Sequence, residues 1–287
     1  MVPLIINLAP TGMVPTRQQS PHIPLSPSEI AADVAECVAL GVSIVHLHAR
    51  APDGAPTDAA DVFADCIRRI RSQTPDVVIT VTTSGRQVQD VNRRAAALFL
   101  DGDAKPDMAS LTLGSMNFST EASINSPSTI MRLAEIMREK GIRPELEVFD
   151  LGMINFAKIL VDKGLIEPPF YFNILLGNPS TAQASLLHLA TLIGDLPPRS
   201  FWSLAGIGRF QARANGLGVV MADGVRVGLE DNLWLDDQRT MLATNGQLVA
   251  RVAAQAKALG RPIASAGEVR SMLGLMPPPS SSRQQES

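Results

Sequence analysis

The chain holds four histidines, and two of them, His46 and His48, stand one residue apart in "VSIVHLHAR". Side chains alternate along a strand, so both imidazoles share one face, with Leu47 opposite. Two neutral rings at the end of a buried strand can bind one divalent cation through nitrogen. Taken alone, each is equally a core histidine satisfied by a backbone or carboxylate partner. A third ligand comes from far along the chain. In "GVRVGLEDN", Arg226, Gly228 and Glu230 share a face at spacing two, which places Glu230 at a strand's C-terminal end. Two histidines, one glutamate and an open position make the pattern of a catalytic zinc site, because the metal can still take water or a substrate oxygen. The competing reading is a surface salt bridge for Glu230 and Asp231. Gly228 weighs against it, since a glycine there lets a ligand approach the backbone. Asp231 faces away from Glu230 in a regular strand, so joint use of the two requires a turn.

Hydroxyls end two other strands. Thr82 and Thr83 close "VVITVTT", and Ser110 and Thr112 lie in "SLTLGS". They can donate to a substrate carboxylate or carbonyl, although threonine equally suits a strand for its β-branched shape. Glu145 and Glu147 alternate with Leu146, and an acid facing a barrel interior is costly unless partnered.

The elements that would position these groups follow from period. Short apolar runs alternate with longer amphipathic ones, giving eight strands: "LIINLA", "VSIVHLHA", "VVITVTT", "MASLTLG", "PELEVFD", "FYFNILLG", "FWSLAGI" and "GVRVGLE". Helix signals are strongest in "LSPSEIAADVAECVALG", where Ser26 caps, Pro27 opens, Glu29 completes a capping box and Gly41 stops. "TIMRLAEIMREKG" and "NGQLVARVAAQAKALG" follow the same logic. Eight strand–helix units in 287 residues predict a (β/α)8 TIM barrel, one catalytic domain over 1–276 with a flexible tail at 277–287. A Rossmann-type sheet is the rival, but the first strand runs into "APTGMVPTRQ" without the glycine fingerprint that opens a helix.

Composition narrows the function. A formal charge of −3, with both signs mixed along the chain, lacks the concentrated positive field that nucleic acid or an anionic membrane requires. Cys37 and Cys66 both fall in helix-like segments and make no disulfide framework, which fits a reducing cytoplasm. No uninterrupted apolar run approaches the length of a membrane span.

Several separated motifs then resemble one family in order: "NLAPTG", "IVHLHAR.PDG.PT", "SLTLGSMNF", "PELEVFD.GM", "LAGIGR", "VRVGLEDN" and "N.QLV", from about Leu4 to Leu275. They are similar to the β-keto acid cleavage enzymes, typified by the 3-keto-5-aminohexanoate cleavage enzyme. The resemblance implies a zinc-dependent barrel that converts a β-keto acid and acetyl-CoA into acetoacetate and a new acyl-CoA. It implies His46, His48 and Glu230 as zinc ligands, Asp231 as base and Arg226 as its assistant. Thr82 and Ser110 match substrate-pocket positions, Glu147 matches an active-site acid, and the resemblance implies a homo-oligomer, taken as a tetramer. One departure concerns the substrate. Where members acting on amino-bearing acids place an acid after "APTG", this chain has Met13 and Val14, which predicts a neutral or apolar tail. Coenzyme A phosphates need donors; "GIGRF" with Arg209 follows the seventh strand, with Arg17, Arg50 and Arg86 as rivals. The remaining alternatives are a class II-type aldolase or lyase working without coenzyme A, and a non-catalytic zinc barrel that binds a keto acid.

Overall fold

In the computed structural model, which describes residues 2–278, the eight apolar runs form β1 (Ile5–Leu8), β2 (Ile44–Leu47), β3 (Val78–Val81), β4 (Met108–Thr112), β5 (Arg143–Val148), β6 (Phe170–Leu176), β7 (Ser200–Gly206) and β8 (Gly224–Val227). Each pairs in parallel with the next, and β8 closes on β1 with Asn7 beside Arg226. Parallel neighbours force every connection to cross outside the sheet. The crossovers carry α1 (Pro27–Ala39), α2 (Ala60–Gln73), α3 (Val91–Arg94), α4 (Pro127–Lys140), α5 (Leu151–Asp162), α6 (Leu186–Gly194) and α7 (Gln211–Met221). After β8 come α8 (Asn245–Ala258) and α9 (Ala266–Leu273). This is the expected (β/α)8 barrel. Its third unit departs from the pattern: only the four-residue α3 and two short 3-10 turns follow β3.

Helix α1 starts where its signals predict. Ser26 Oγ accepts from the Glu29 N–H while the Glu29 carboxylate accepts from Ser26 N–H at 2.9 Å, and that backbone donor helps hold Glu29 down to about 2.

Strand alternation sorts the core. Outward residues such as Ile6, Val45, Ile79, Leu111 and Val148 are buried under the helices. Inward residues at the strands' N-terminal ends, Ile5, Ile44, Val78 and Met108, pack with Val269 and Leu273 of α9, which plugs that end. Arg270 fixes the plug through bonds of 2.8 and 3.0 Å to the two oxygens of Asp107. Above the apolar layer the lumen turns polar, with Asn7, Glu145, Asn173, Tyr171 and Ser203 buried.

Cys37 and Cys66 are free and buried, and burial pushes the Cys66 thiol up to about 12. Among the described residues no helix is long and apolar enough to cross a membrane. Most of the expected tail, residues 279–287, lies outside the described residues.

Candidate active site

Strand β2 ends at Leu47, so His46 rides on the strand and His48 stands one step beyond, before the ribbon that pairs Ala49–Arg50 with Pro56–Thr57. Arg50 braces this corner by donating to the carbonyls of Gly12, Gly54 and Pro15, each at 2.9 Å. The Nε2 atoms of His46 and His48 are 3.3 Å apart.

The continuous strand expected through Glu230 is interrupted. β8 stops at Val227, Gly228 adopts φ +153°, and the chain turns with Asp231 N–H donating to Gly228 O at 3.3 Å. A side chain at Gly228 would collide with the Ala9 backbone, so the close approach made there is β1's own end rather than a ligand. The turn solves the facing problem: Glu230 and Asp231 both reach the cavity and both meet Arg226.

Glu230 Oε1 lies 3.4 Å from His48 Nε2 and 4.0 Å from His46 Nε2. Glu230 Oε2 is buried with no hydrogen-bond partner among the described residues. Three ligand atoms within 4.8 Å of one another and one orphaned carboxylate oxygen are what a divalent cation would satisfy. His46, Glu145 and Glu147 form a second set within the same reach. Glu145 is the weaker ligand, because both its oxygens are already engaged: Oε2 lies 2.6 Å from His46 Nδ1, and Oε1 accepts from Asn7 Nδ2 and Asn173 Nδ2, both at 2.6 Å. A carboxylate on Nδ1 keeps the proton there and turns the Nε2 lone pair toward His48 and Glu230.

Electrostatics follow from this packing. Burial opposes a charge on His46, but Glu145 and Glu230 outweigh it and raise its affinity for a proton. His48 goes the other way, lowered by burial. Burial alone would raise Glu230; His48, Arg226 and His46 instead hold it well below the usual carboxylate range. Asp231 is raised, chiefly by burial and further by Glu230, against the pull of Arg226. The fully buried Arg226 donates to Glu230 at 2.6 Å, to Asp231 at 3.0 Å and to Glu147 at 3.3 Å, and Thr112 Oγ1 donates to Glu147 at 2.6 Å.

A cavity of about 300 Å³ opens over this cluster at the strands' C-terminal ends. It brings together His46, His48, Thr82, Thr112, Glu147, Arg226, Glu230 and Asp231, with Met13 and Val14 on its wall. Two sequence candidates sit elsewhere. Ser110 is buried beneath, its Oγ accepting from Thr83 N–H at 3.2 Å. Arg209 is exposed outside the cavity beside Asp236, Asp237 and Arg239, although Gly208 N–H donates to Asp231 O at 2.7 Å. Arg17 pairs with Glu29 on another face, whereas Arg86 lines the cavity.

Sequence reasoning missed the partners. Asn7 and Asn173 complete Glu145, and the cost of a buried acid was the one signal that pointed toward them. Asn245, at the first position of α8, donates to Pro10 O at 3.0 Å and Asp33 Oδ2 at 2.7 Å, and accepts from Leu229 N–H at 2.9 Å. It thereby ties the loop carrying Glu230 to the end of β1.

A closed barrel with a His–His–Glu cluster, a raised carboxyl and a clamping arginine at its mouth defines a (β/α)8 enzyme with a candidate divalent-metal centre. More narrowly, the chain belongs to the beta-keto acid cleavage enzyme family, whose profile matches residues 3–275. It is 38% identical over 277 residues to a 3-keto-5-aminohexanoate cleavage enzyme of Fusobacterium nucleatum, covering 96% of this chain and 99% of that one. It is 35% identical over 277 residues to a 3-oxoadipate:acetyl-CoA acetyltransferase of Cupriavidus necator, covering 95% of both. In fold it is similar to ObcA in its binary complex with oxaloacetate, with a TM-score of 0.76 at 22% identity over 89% of this chain and 68% of that one.

Proposed function

We propose that the protein is a zinc enzyme that condenses a β-keto acid with acetyl-CoA and releases acetoacetate and a new acyl-CoA. One observation carries this reading: the His46, His48 and Glu230 ligand atoms and the Asp231 carboxylate face one cavity, held in register by Arg226. Zinc bound by His46, His48 and Glu230 would supply Lewis acidity, making the methylene between ketone and carboxylate more acidic. Asp231 takes the proton from that carbon and returns it to the carbon of the departing acetoacetate. Its raised proton affinity suits it to the role, and Arg226 orients it and offsets its charge. Between these transfers the substrate carbon attacks the acetyl thioester, coenzyme A leaves as thiolate, and the thiolate adds to the original ketone before the carbon–carbon bond breaks. Thr82 lines the cavity with an O–H to donate, while Thr112 donates to Glu147, which also holds Arg226, and offers the substrate only its oxygen. Ser110 supports the Thr83 backbone from below.

The apolar wall of Met13, Val14, Met116, Phe149 and Leu175 favours a neutral or apolar tail and offers no acid to an ammonium group. Arg209, exposed outside the cavity, is the residue we assign to the coenzyme A phosphates. The same proposal has one catalytic barrel over 1–276, assembled as a homotetramer in the cytoplasm.

The test is a panel of β-keto acids on metal-analysed protein, with and without acetyl-CoA. The expected result is turnover only with acetyl-CoA, 3-oxohexanoate preferred over an amino-substituted analogue, and loss of both zinc and turnover in His46→Ala and Glu230→Ala. Cleavage without acetyl-CoA would establish the lyase alternative, and full activity in a metal-free variant would reject the zinc assignment.

A further inference from the structure

Two guanidinium groups line the cavity, and they are held differently. Arg226 is bonded to Glu147, Glu230 and Asp231. Arg86, from the loop after β3, has a side chain only 13% exposed, and its guanidinium carbon lies 3.5 Å from the centre of the Phe118 ring. Its backbone N–H is met by Ser84 Oγ at 3.3 Å. Among the described residues, no acceptor meets its guanidinium N–H groups with hydrogen-bond geometry, and its nearest acid, Glu121, stands 3.4 Å from Nε. Stacking on an aromatic face fixes the plane of the fork and leaves the in-plane donors free for a planar anion. The ion pair with Glu121 compensates the charge, but without hydrogen-bond geometry it leaves donors of the fork that a carboxylate in the cavity would satisfy. Burial pulls Arg86 below its ordinary proton affinity despite the acids around it.

We propose that Arg86 receives a carboxylate of the substrate. The inference rests on the β-keto acid reading above and deepens it. A guanidinium fork takes a carboxylate through paired, charge-assisted bonds. That carboxylate has two possible sources: the one every β-keto acid carries beside its reacting carbon, or a second at the far end of the tail. The cavity's apolar wall and the Arg86–Phe118 stack suit either, since the stack presents a charge beside apolar surface.

Isothermal titration of 3-oxohexanoate and of 3-oxoadipate, without acetyl-CoA, into zinc-loaded wild type and Arg86→Gln decides it. Losing a charge-assisted pair is expected to weaken binding about ten- to a hundredfold with metal content unchanged. Loss for both acids assigns the carboxylate beside the reacting carbon. Loss confined to 3-oxoadipate assigns a tail carboxylate and replaces the neutral tail proposed above. Unchanged affinity for both acids overturns the inference, as does a wild type that binds neither. Glu121→Gln gives an independent reading should Arg86→Gln fail to fold: it frees Arg86 of its neighbouring acid and is expected to tighten binding, and unchanged affinities there also overturn the proposal. A wild type that binds these acids yet gives no turnover with acetyl-CoA sinks the functional reading while leaving Arg86 in place.

Discussion

Glu145→Gln tests whether the polar lumen serves the metal site. The substitution keeps volume and shape but removes the charge and replaces one acceptor by a donor. Glu145 accepts three bonds of 2.6 Å, from His46, Asn7 and Asn173, so the amide has two ways to sit. With its NH2 toward His46 it forces the proton from Nδ1 to Nε2 and takes away the lone pair that faces His48 and Glu230. With its oxygen toward His46 the tautomer survives, but the negative charge that makes the ring a strong ligand is gone. Both arrangements weaken the metal. Loss of such a supporting carboxylate costs about 10- to 100-fold in affinity, or about 1.4–2.7 kcal/mol. Competition with a chelating dye measures this, and the melting temperature of the metal-free variant separates a damaged site from a damaged fold. A Glu145→Gln protein that folds and holds zinc as tightly as wild type would refute the argument that Glu145 sets the His46 tautomer.

Two further outcomes are expected. Asp231→Asn keeps zinc and keto-acid binding but loses turnover by about 100-fold or more, the scale of a positioned base; a rate near wild type removes Asp231 from that role. Asp33, half-buried between α1 and α8, is raised to about 7, mainly by burial, against the Asn245 bond and with the field of Glu36 adding to it. The folded protein therefore holds this proton up to about pH 7, whereas the unfolded chain releases it near 3.8, so this group removes stability as pH rises through that window. Asp33→Asn still offers an oxygen to Asn245, and is expected to melt with wild type at pH 4 and to exceed it at pH 8 by on the order of 4 kcal/mol. Parallel pH slopes in calorimetry would count against it.

Much of the barrel is legible because its physics is local. A parallel strand buried on both faces reads as a continuous apolar run, and all eight runs became strands of the barrel. The Ser26–Glu29 box and the α1 start likewise depend on neighbours in sequence. The convergence of His46, His48 and Glu230 could be inferred because barrel closure brings the first strands beside the last. The Gly228 turn was not, since β1's approach to that glycine is a tertiary contact. The asparagines were illegible for a related reason: Asn7 and Asn173 meet Glu145 from 138 and 28 residues away, and no spacing rule spans such distances. The third crossover misled by omission, as its segment folds into short turns instead of one long helix.

The plug that α9 makes beneath Ile5, Ile44, Val78 and Met108 fills that end of the barrel, and the chamber opens at the other. Whatever settles against the histidines enters and leaves on the side away from α9. A bulky molecule lying across that end would cover a smaller one already seated beneath it.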